Sequence, residues 1–438
     1  MKTGGNVCLS VGMGLGKTAA VLHYLDWLRV SHSGRLSAVI VAPKRVAETV
    51  WLQEAEKWYL RELRDMMVLV AGSKAKRAAA LCSQNPIKVI GRDNVAEVSN
   101  MAFDVLVIDE LTSFKSMKAA RTKAALRISA RQRIGLTGTF APNGMMDVYA
   151  QLAVLGIASQ NERDFYAWRG MFFEDVLRGK GLRFSRWQLR KGVTEAEVLA
   201  PWRGSILTLT TEDYLKLPPV MFRRMSIELS QGEREAYDGM VAFLHFPIPE
   251  TLEDFAVSDK QKLAKVRTLT SGFVYDTDDL HGGGAIRVDG GGSKVRRAVD
   301  FCLSAKESGE AVLLFYSYRE TAVWFGELAK DEGLRIASVG SDDWLEKWNG
   351  GELDVLVANP ASAGHGLNLQ HGGHIILWME LTYNYEHWAQ ANARLHRTGQ
   401  TQPVQIWTIE AARTIDGNIM KAISDKGKVN QNIEIATK

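Results

Sequence analysis

The chain has 438 residues, of which 46% are hydrophobic and 24% are charged, and its formal net charge at pH 7 is +4. This composition is typical of a globular protein with two or three domains and excludes a disordered, collagenous or coiled-coil chain. The cysteines Cys8, Cys82 and Cys302 lie far apart, which argues against a disulfide framework or a zinc site and suits a reducing compartment. No apolar run approaches the roughly 18 residues of a membrane span, so we expect a cytoplasmic protein without a membrane partner.

The first 155 residues alternate short apolar runs with longer helical patterns. The runs are rich in Val, Ile and Leu without polar alternation, which indicates strands buried on both faces. They lie at 7–11, 38–42, 66–71, 87–90, 105–108 and 134–136. Helical patterns such as 18–30 and 45–59 separate them, so a parallel sheet with helices on both faces is predicted.

A second series of the same kind occupies the end of the chain. Its apolar runs lie at 312–316, 336–339, 353–358, 374–379 and 404–409, and its helical patterns at 294–307, 320–332, 385–395 and 415–426. The sequence therefore predicts an α/β chain with two tandem parallel-sheet domains and a helical, basic insertion between them. The predicted parts are a first domain at 1–155, a basic and aromatic insertion at 156–220, a connector with a helical entry at 221–292, and a second domain at 293–438.

A glycine-rich run at 12–18, GMGLGKT, follows the first predicted strand and begins the first predicted helix. Gly12, Gly14 and Gly16 let the backbone curl so that several N–H groups face one anion. Lys17 could reach the β- and γ-phosphates of a nucleotide, and the Thr18 hydroxyl could hold Mg²⁺. Valine stands where the common GxxxxGK[ST] form has its first glycine. A turn without a ligand is the alternative, which the strand–loop–helix context disfavours.

The predicted strand at 103–108 ends in two carboxylates, Asp109 and Glu110. Ligands of open parallel sheets bind beyond the carboxyl ends of the strands, so this pair is expected to face the phosphate loop. Asp109 could hold Mg²⁺ through water, and Glu110 could orient or deprotonate an attacking water. A strand that ends in acidic residues is often only a solvated terminus, and the phosphate loop favours the functional interpretation.

With these residues in place, the chain resembles the superfamily-two helicases, and within them the Swi/Snf-like ATPases. Seven segments resemble the motifs of that family in the family's order. They are 9–18 (motif I), 39–44 with Trp51 and Glu54 (Ia), 109–112 (II), 136–139 with 142–143 (III), 313–317 (IV), 362–369 (V) and 390–400 (VI). The compact size and the stretches 141–144 and 359–366 resemble the small phage and bacterial members, which would place a phage-encoded protein in the host cytoplasm.

The resemblance implies two RecA-like lobes with ATP in the cleft between them, and Mg²⁺ as cofactor. Catalysis would rest on Lys17, Asp109 and Glu110 of the first lobe and on Arg394 and Arg397 of the second, the arginines stabilising transition-state charge as arginine fingers. The two arginines would share one helix face if the pattern at 385–395 continues as a helix. The resemblance assigns the remaining roles as follows: nucleotide binding to Gly12, Gly14, Gly16, Lys17, Thr18, Gly366 and Gln390; metal binding to Thr18 and Asp109; and coupling of the nucleotide state to domain movement to Thr137 and Thr139.

Three departures from the family pattern stand out. Thr112 replaces the usual histidine of motif II, and Phe140 replaces the proline that usually follows the Thr-Gly-Thr of motif III. Residues 1–11 contain no glutamine, although the family reads adenine with a glutamine motif upstream of motif I. Adenine recognition is therefore unassigned, and we expect a truncated N-terminus or a misplaced start codon.

Two basic runs without acidic residues are candidates for nucleic-acid binding, since clustered cations bind phosphates independently of sequence. The first, within 114–133, contains Lys115, Lys118, Arg121, Lys123, Arg127, Arg131 and Arg133. The second, within 178–191, interleaves Phe184 and Trp187 with its cations, of which Arg183, Arg186 and Arg190 are the predicted contacts. Lys44 and Ser362 are added by family analogy. A solvated surface is the alternative for both runs, and the tryptophans 51, 58, 168, 378 and 388 are expected to pack internally.

The hypothesis that follows is an ATP-dependent motor that moves along double-stranded DNA without sequence specificity. Its first alternative is a strand-separating helicase in phage replication or recombination, with proteins of those processes as candidate partners. Its second is a catalytically impaired scaffold that binds nucleic acid.

Overall fold

The computed structural model describes residues 5–177, 185, 187–243, 257–275, 284–363 and 367–437, with the backbone alone at 257–262 and 363. These residues form two compact units. The first unit contains the described residues of 1–176, 187–215 and 426–438, and the second those of 177–186 and 216–425. Most of the predicted insertion at 156–220 thus belongs to the first unit, as does the end of the chain, which was predicted to lie in the second domain.

The strands of the first unit are β1 (Val7–Val11), β2 (Ala38–Ala42), β3 (Met67–Val70), β4 (Ile87–Gly91), β5 (Ala102–Ile108), β6 (Ser129–Thr137), β7 (Phe173–Asp175), β8 (Trp187–Leu189) and β9 (Ile206–Leu209). Seven of them form a parallel sheet in the order β3-β4-β2-β5-β6-β1-β9. The other two, β7 and β8, form an antiparallel hairpin.

The helices of the first unit are α1 (Lys17–Ser31), α2 (Lys44–Lys57), α3 (Arg61–Asp65), α4 (Lys74–Cys82), α5 (Ala120–Arg127), α6 (Met146–Val154), α7 (Glu162–Phe172), α8 (Glu195–Leu199) and α9 (Thr211–Tyr214). Short 3₁₀ helices lie at Arg92–Val98, Leu111–Phe114 and Ala200–Ser205. Among the described residues of the chain, no helix is both long and apolar enough to cross a membrane.

The central strand β2 shows why an unbroken apolar run predicts a strand of this sheet. All of its residues are buried. Val39 and Val41 point into one hydrophobic core, and Ala38, Ile40 and Ala42 into another. Because successive side chains of a strand point to opposite faces, a sheet covered by helices on both sides requires apolar residues at every position.

The strands of the second unit are β10 (Val220–Ile227), β11 (Phe273–Tyr275), β12 (Ala285–Arg287), β13 (Val312–Phe315), β14 (Ile336–Ser338), β15 (Val355–Ala358), β16 (Ile375–Trp378) and β17 (Val404–Ala411). The order β10-β17-β16-β13-β15-β14 forms a parallel sheet, and β11 and β12 form an antiparallel pair.

The helices α10 (Gln231–Phe243), α11 (Val257–Leu269), α12 (Ser293–Glu307), α13 (Arg319–Asp331), α14 (Trp344–Asn349), α15 (Pro360–Ala363) and α16 (Tyr385–Asn392) lie in the second unit. The last helix, α17 (Asp416–Thr437), begins in the second unit, and its residues from Lys426 onward belong to the first. Its early residues Ile419 and Ile423 pack in a core of the second unit, and Ile433 packs in a core of the first.

The predicted fold class, two tandem parallel-sheet α/β domains, is confirmed. Two strands of these sheets, β9 and β10, were not predicted from the sequence. Both lie at the edge of a sheet, and three consecutive residues of β10 are exposed. Neither strand has the continuous apolar run that identified the others: Thr208 interrupts β9, and β10 includes Arg223 and Arg224.

Candidate nucleotide site

The loop at 12–16 leaves the carboxyl end of β1, which lies between β6 and β9 in the first sheet. Residue pairing places Ser10 of β1 opposite Thr137 of β6, so the segments that follow these two strands emerge side by side. The segment after β5 emerges at the same edge, because Ile108 pairs with Gly135 of β6. The segments that resemble motifs I, II and III therefore lie at the same edge of the sheet, as expected for parallel strands.

The glycine-rich loop at 12–16, here called the phosphate loop, has the curled backbone that its glycines predicted. Gly14 and Gly16 have φ angles of 82° and 74°, in the left-handed region that side chains other than glycine seldom adopt. Gly16 precedes α1 directly, and Lys17 is the first residue of that helix. The Lys17 ammonium donates hydrogen bonds to the carbonyls of Val11, at 2.7 Å, and Gly12, at 3.2 Å. The lysine thus lies along its own loop.

Gly12 is packed closely by a segment that the sequence did not connect with this loop. The Gly12 N–H donates to the carbonyl of Leu209 at 2.7 Å, and the Thr211 hydroxyl donates to the carbonyl of Met13 at 3.3 Å. A Cβ built on Gly12 would lie 2.4 Å from the Thr211 hydroxyl oxygen and 2.9 Å from its backbone nitrogen. A glycine is required here because the start of α9 leaves no space for a methyl group.

Asp109 lies at the end of β5 and is only 8% exposed. Its carboxylate accepts hydrogen bonds from the Trp51 indole N–H at 3.2 Å and from the Glu110 N–H at 3.0 Å. Burial raises the pKa of Asp109, and the Lys17 ammonium and the indole N–H oppose that rise by favouring the charged form. Trp51 was expected only to pack internally. It is fully buried, and it also orients the carboxylate.

Glu110 has a φ of 51° and a ψ of 62°, which is unusual for a residue with a side chain. The left-handed conformation costs about 1–2 kcal/mol for such a residue. It turns the chain from β5 into the 3₁₀ helix Leu111–Phe114, in which Thr112 is buried. The Glu110 side chain stays partly exposed, whereas that of Asp109 is buried, so the two neighbouring carboxylates have different environments.

Thr137 and Thr139 form a tight turn at the end of β6. The Thr137 hydroxyl donates to the Thr139 carbonyl at 2.5 Å and accepts from the Thr139 N–H at 3.1 Å. Gly138 lies between them, and a Cβ built on it would be 3.4 Å from Met13 Cγ and 3.7 Å from Lys17 Nζ. The turn therefore lies next to the phosphate loop, with little more than the space of a methyl group between them.

In the second unit, α16 ends at Asn392, so Arg394 and Arg397 lie beyond the helix on which they were expected to share a face. They are brought together in another way. Arg394 Nη1 and Arg397 Nη1 donate to the same carbonyl, that of Leu367, at 3.4 Å and 2.9 Å. Arg394 Nε also donates to the carbonyl of Gln390 at 3.2 Å. A shared backbone acceptor replaces the helix as the element that positions the two arginines.

The two arginines differ in environment. Arg394 is 8% exposed, and Gln390, one turn before it, is 4% exposed. The Arg397 side chain is partly exposed, although desolvation lowers the pKa of its guanidinium. Gly366, the remaining nucleotide-binding candidate of this unit, lies outside the described residues.

The predicted nucleic-acid contacts are described only in part. Lys44 is the exposed first residue of α2, and Ser362 is exposed on α15. Arg190 is exposed, and its guanidinium donates to the carbonyl of Gly170 at 2.7 Å. Arg183 and Arg186 lie outside the described residues.

The basic run at 114–133 separates into structural and exposed cations. Arg133 is 7% exposed and donates to the carbonyls of Val154, at 2.7 Å, and Ile128. Arg121 forms a 2.5 Å ion pair with Asp93. The cations Lys118, Lys123, Arg127 and Arg131 remain exposed. Arg131 also forms a 3.5 Å ion pair with Asp104, so Lys118, Lys123 and Arg127 are the better candidates to bind a polyanion.

The aromatic residues also follow the expectation in part. Trp51, Trp168, Trp378 and Trp388 are buried, as expected, whereas Trp58 is 44% exposed. Trp187, which was interleaved with predicted DNA contacts, carries the guanidinium of Arg169 at 3.8 Å from its ring centroid. Its ring face is thus covered by an arginine of its own unit.

Comparison with known proteins identifies the family. The model of the SNF2-related domain matches residues 3–276, so the chain belongs to the SNF2-related family. This result confirms the predicted resemblance and the predicted enzyme class, ATPases of the helicase type.

Individual relatives agree with the family assignment. The chain is 27% identical to the putative protein p41 of Acyrthosiphon pisum secondary endosymbiont phage 1, with 95% of this chain and 91% of that protein covered. It is 22% identical to the uncharacterized ATP-dependent helicase MG018 of Mycoplasma genitalium, covering 94% of this chain and 39% of that protein. It is 25% identical to the SWI/SNF-related matrix-associated actin-dependent regulator of chromatin subfamily A-like protein 1 of Xenopus laevis, covering 97% of this chain and 42% of that protein.

The chain thus spans nearly all of the phage protein and about two fifths of the Mycoplasma and Xenopus proteins. Among solved structures, the SWI2/SNF2 ATPase core of Sulfolobus solfataricus in complex with dsDNA is 18% identical, with a TM-score of 0.39, and the match covers 100% of this chain and 91% of that one.

Proposed function

We propose that this protein is a DNA-stimulated, Mg²⁺-dependent ATPase that moves along double-stranded DNA without sequence specificity. The observation that carries the proposal is the meeting of Lys17 and buried Asp109 at the carboxyl edge of the first sheet, beside the Thr137–Thr139 turn. A cation on a glycine loop and a carboxylate at the end of a nearby strand of the same sheet are groups that phosphoryl transfer uses.

The residues of the first unit would have the following roles in the reaction. The loop N–H groups and the Lys17 ammonium would bind the β- and γ-phosphates, which requires Lys17 to exchange its bonds to the Val11 and Gly12 carbonyls for phosphate oxygens. Glu110, partly exposed and next to Asp109, would orient the attacking water and accept its proton. The Thr137–Thr139 turn lies next to the loop and would respond to the phosphates held there.

The donor set fits Mg²⁺. Thr18 offers a hydroxyl, and Asp109 offers a buried carboxylate that is oriented by two hydrogen bonds; hard oxygen donors of this kind suit the ion. When bound, Mg²⁺ would neutralise charge on the phosphate oxygens. Burial alone would favour a protonated Asp109, and the Lys17 ammonium and the indole N–H of Trp51 help to keep it charged and able to bind a cation.

The second unit would contribute Arg394, Arg397 and Gln390 to the same reaction, with the guanidinium groups stabilising charge on the transferred phosphoryl group. The exposed cations Lys44 and Arg190 of the first unit, together with Lys118, Lys123 and Arg127, would contact DNA phosphates. Contacts to phosphates carry no sequence information, which is why movement without sequence specificity is proposed.

The test is ATP hydrolysis by the full chain with and without duplex DNA, compared with Lys17→Ala. The wild type is expected to release phosphate faster when DNA is added, and Lys17→Ala to remain at background. Equal background release by both proteins would refute the motor and favour the non-catalytic scaffold. Displacement of a third strand from a triplex without separation of the duplex would support translocation, and separation of the duplex would favour the strand-separating helicase.

Gly12→Ala is expected to weaken ATP binding about tenfold, because the new methyl group would lie 2.4 Å from the Thr211 hydroxyl oxygen and the loop would have to move. Overpacking of this kind costs about 1–3 kcal/mol. Titration with a fluorescent ATP analogue measures the effect. Gly5→Ala, where a Cβ meets nothing within 4 Å, is the control. Equal affinities of the two variants would show that the contact with α9 does not shape the loop.

A further inference from the structure

Asn430 of α17 binds both backbone groups of one distant residue. Its side-chain oxygen accepts from the Ala141 N–H at 3.1 Å, and its side-chain nitrogen donates to the Ala141 carbonyl at 3.0 Å. The two residues are 289 positions apart, and both belong to the first unit. The same nitrogen also donates to the carbonyl of Lys426 at 2.9 Å, so both ends of the amide are engaged. Asn430 is 4% exposed.

Ala141 lies in the segment that continues from the Thr137–Thr139 turn. The residue before it, Phe140, is held by a second buried amide: Gln151 of α6 donates to the Phe140 carbonyl at 2.9 Å. Two consecutive residues of irregular chain are therefore fixed by side chains of two helices. These two residues directly follow Thr139, the last residue of the turn.

The far end of the segment is anchored on α6. The Asn143 N–H and side-chain amide both donate to the Asp147 carboxylate, at 3.2 Å and 3.0 Å. Burial raises the pKa of Asp147 to about 6, and the charges of Lys115 and of Lys426, one turn before Asn430, act against that rise. The segment is thus held by hydrogen bonds with α6 at Phe140 and Asn143 and with α17 at Ala141.

Other residues of α17 also dock the helix in the first unit. Ile433 is 1% exposed in a core of this unit, and the Thr437 hydroxyl lies 2.6 Å from that of Thr208 on β9. A buried amide costs free energy unless its groups are paired, so an apolar side chain would suffice if packing were the purpose. The amide is matched instead to the N–H and C=O of Ala141.

We propose that Asn430 is a positioning residue for the ATPase reaction. It holds the chain after Thr139, and so keeps the Thr137–Thr139 turn against the loop that contains Lys17. This inference rests on the proposed function. Asn430 has no proposed contact with the nucleotide. Replacing Asn430 should therefore lower the rate of turnover more than the affinity for ATP.

The first test compares Asn430→Leu, whose side chain has the same number and branching of heavy atoms but no hydrogen-bonding groups, with Asn432→Leu. Asn432 is the control because it is exposed on the same helix and has a 3.3 Å hydrogen bond to Glu195. In Asn430→Leu, the DNA-stimulated kcat is expected to fall about tenfold while the KM for ATP changes less than about twofold. Asn432→Leu is expected to behave as the wild type. Equal kcat values, or a loss confined to KM, would overturn the inference.

Asn430→Asp provides a second variant that retains the shape of the side chain. Its carboxylate can accept from the Ala141 N–H but repels the Ala141 carbonyl, whereas the protonated acid can donate to that carbonyl and restore both bonds. The ratio of its kcat to that of the wild type is therefore expected to rise as the pH falls from about 8 to about 6, since burial raises a carboxyl pKa. Asp147, Lys115 and Lys426 are present in both proteins. Any pH dependence that these three residues contribute therefore cancels in the ratio. A flat ratio would count against the inference.

Amide hydrogen exchange separates this inference from the proposed function, because it needs no ATPase activity. The peptide that includes Ala141 is expected to exchange about tenfold faster in Asn430→Leu than in the wild type and in Asn432→Leu. Unchanged exchange would refute the anchoring even if the wild type hydrolyses ATP. Faster exchange with no ATPase activity in the wild type would retain the anchor and refute the proposed function.

Discussion

Glu110→Gln is expected to bind ATP as the wild type does and to lower the DNA-stimulated kcat by about 10²–10⁴-fold, the usual contribution of a general base. The amide keeps the size of the side chain and can still hydrogen-bond a water, but it cannot accept a proton at neutral pH. The backbone strain at Glu110 is unchanged by this substitution, because φ and ψ do not depend on the terminal group. Folding should therefore be preserved.

Single-turnover phosphate release and equilibrium binding of a fluorescent ATP analogue together measure this effect. Glu48→Gln is the matched control, since Glu48 is exposed on α2 in the same unit. Undiminished turnover in Glu110→Gln would remove Glu110 from the mechanism. Loss of ATP binding together with turnover would instead mean that Glu110 supports the site rather than the chemical step.

Arg397→Lys is expected to lower kcat by about 10³-fold, the lower end of the range for an arginine finger, with a much smaller effect on KM. Lysine keeps the positive charge but lacks the planar fork with which a guanidinium can bind one acceptor and still present donors elsewhere. Arg397 Nη1 donates to the Leu367 carbonyl, and the side chain is partly exposed. The remaining donors of its guanidinium are therefore suitably placed to bind a phosphate. Arg394 is more deeply buried.

Steady-state kinetics with saturating duplex DNA measure the effect, and Arg319→Lys, an exposed substitution on α13 of the same unit, is the control. If both variants have wild-type kcat, Arg397 is not a catalytic residue. The charge-removing variant Arg397→Ala distinguishes the planar fork from the charge: an equal loss in Arg397→Ala and Arg397→Lys would show that the geometry of the guanidinium matters more than its charge.

The two arginines show where sequence spacing gave a wrong structural expectation. Their separation of three residues suggested one helix face, yet α16 ends before Arg394. The common acceptor, the Leu367 carbonyl, belongs to a segment almost thirty residues earlier. Helical periodicity applies only while the helix continues, and its end depends on contacts that lie outside the local pattern.

The domain boundaries were also not predictable from the local sequence pattern. The region at 156–220 differs in composition from its flanks and was therefore separated as an insertion, but β9 within it pairs with β1 and completes the first sheet. Thr211, two residues after the end of β9, packs on Gly12. Local composition indicates how exposed a segment is. It does not indicate which strand the segment pairs with, because that depends on a distant part of the chain.

Contiguous patterns were sufficient for the central strands and for the glycine loop between β1 and α1, because each depends on neighbours within a few residues. Burial on both faces makes a strand uniformly apolar, and positive φ angles favour glycine at Gly14 and Gly16. The partners of these residues required the folded chain. The indole of Trp51 binds Asp109 across 58 positions, and the amide of Asn430 binds Ala141 across 289. A buried tryptophan or asparagine has no local signature that names its partner, since hydrogen bonds between distant segments form only where packing brings them together.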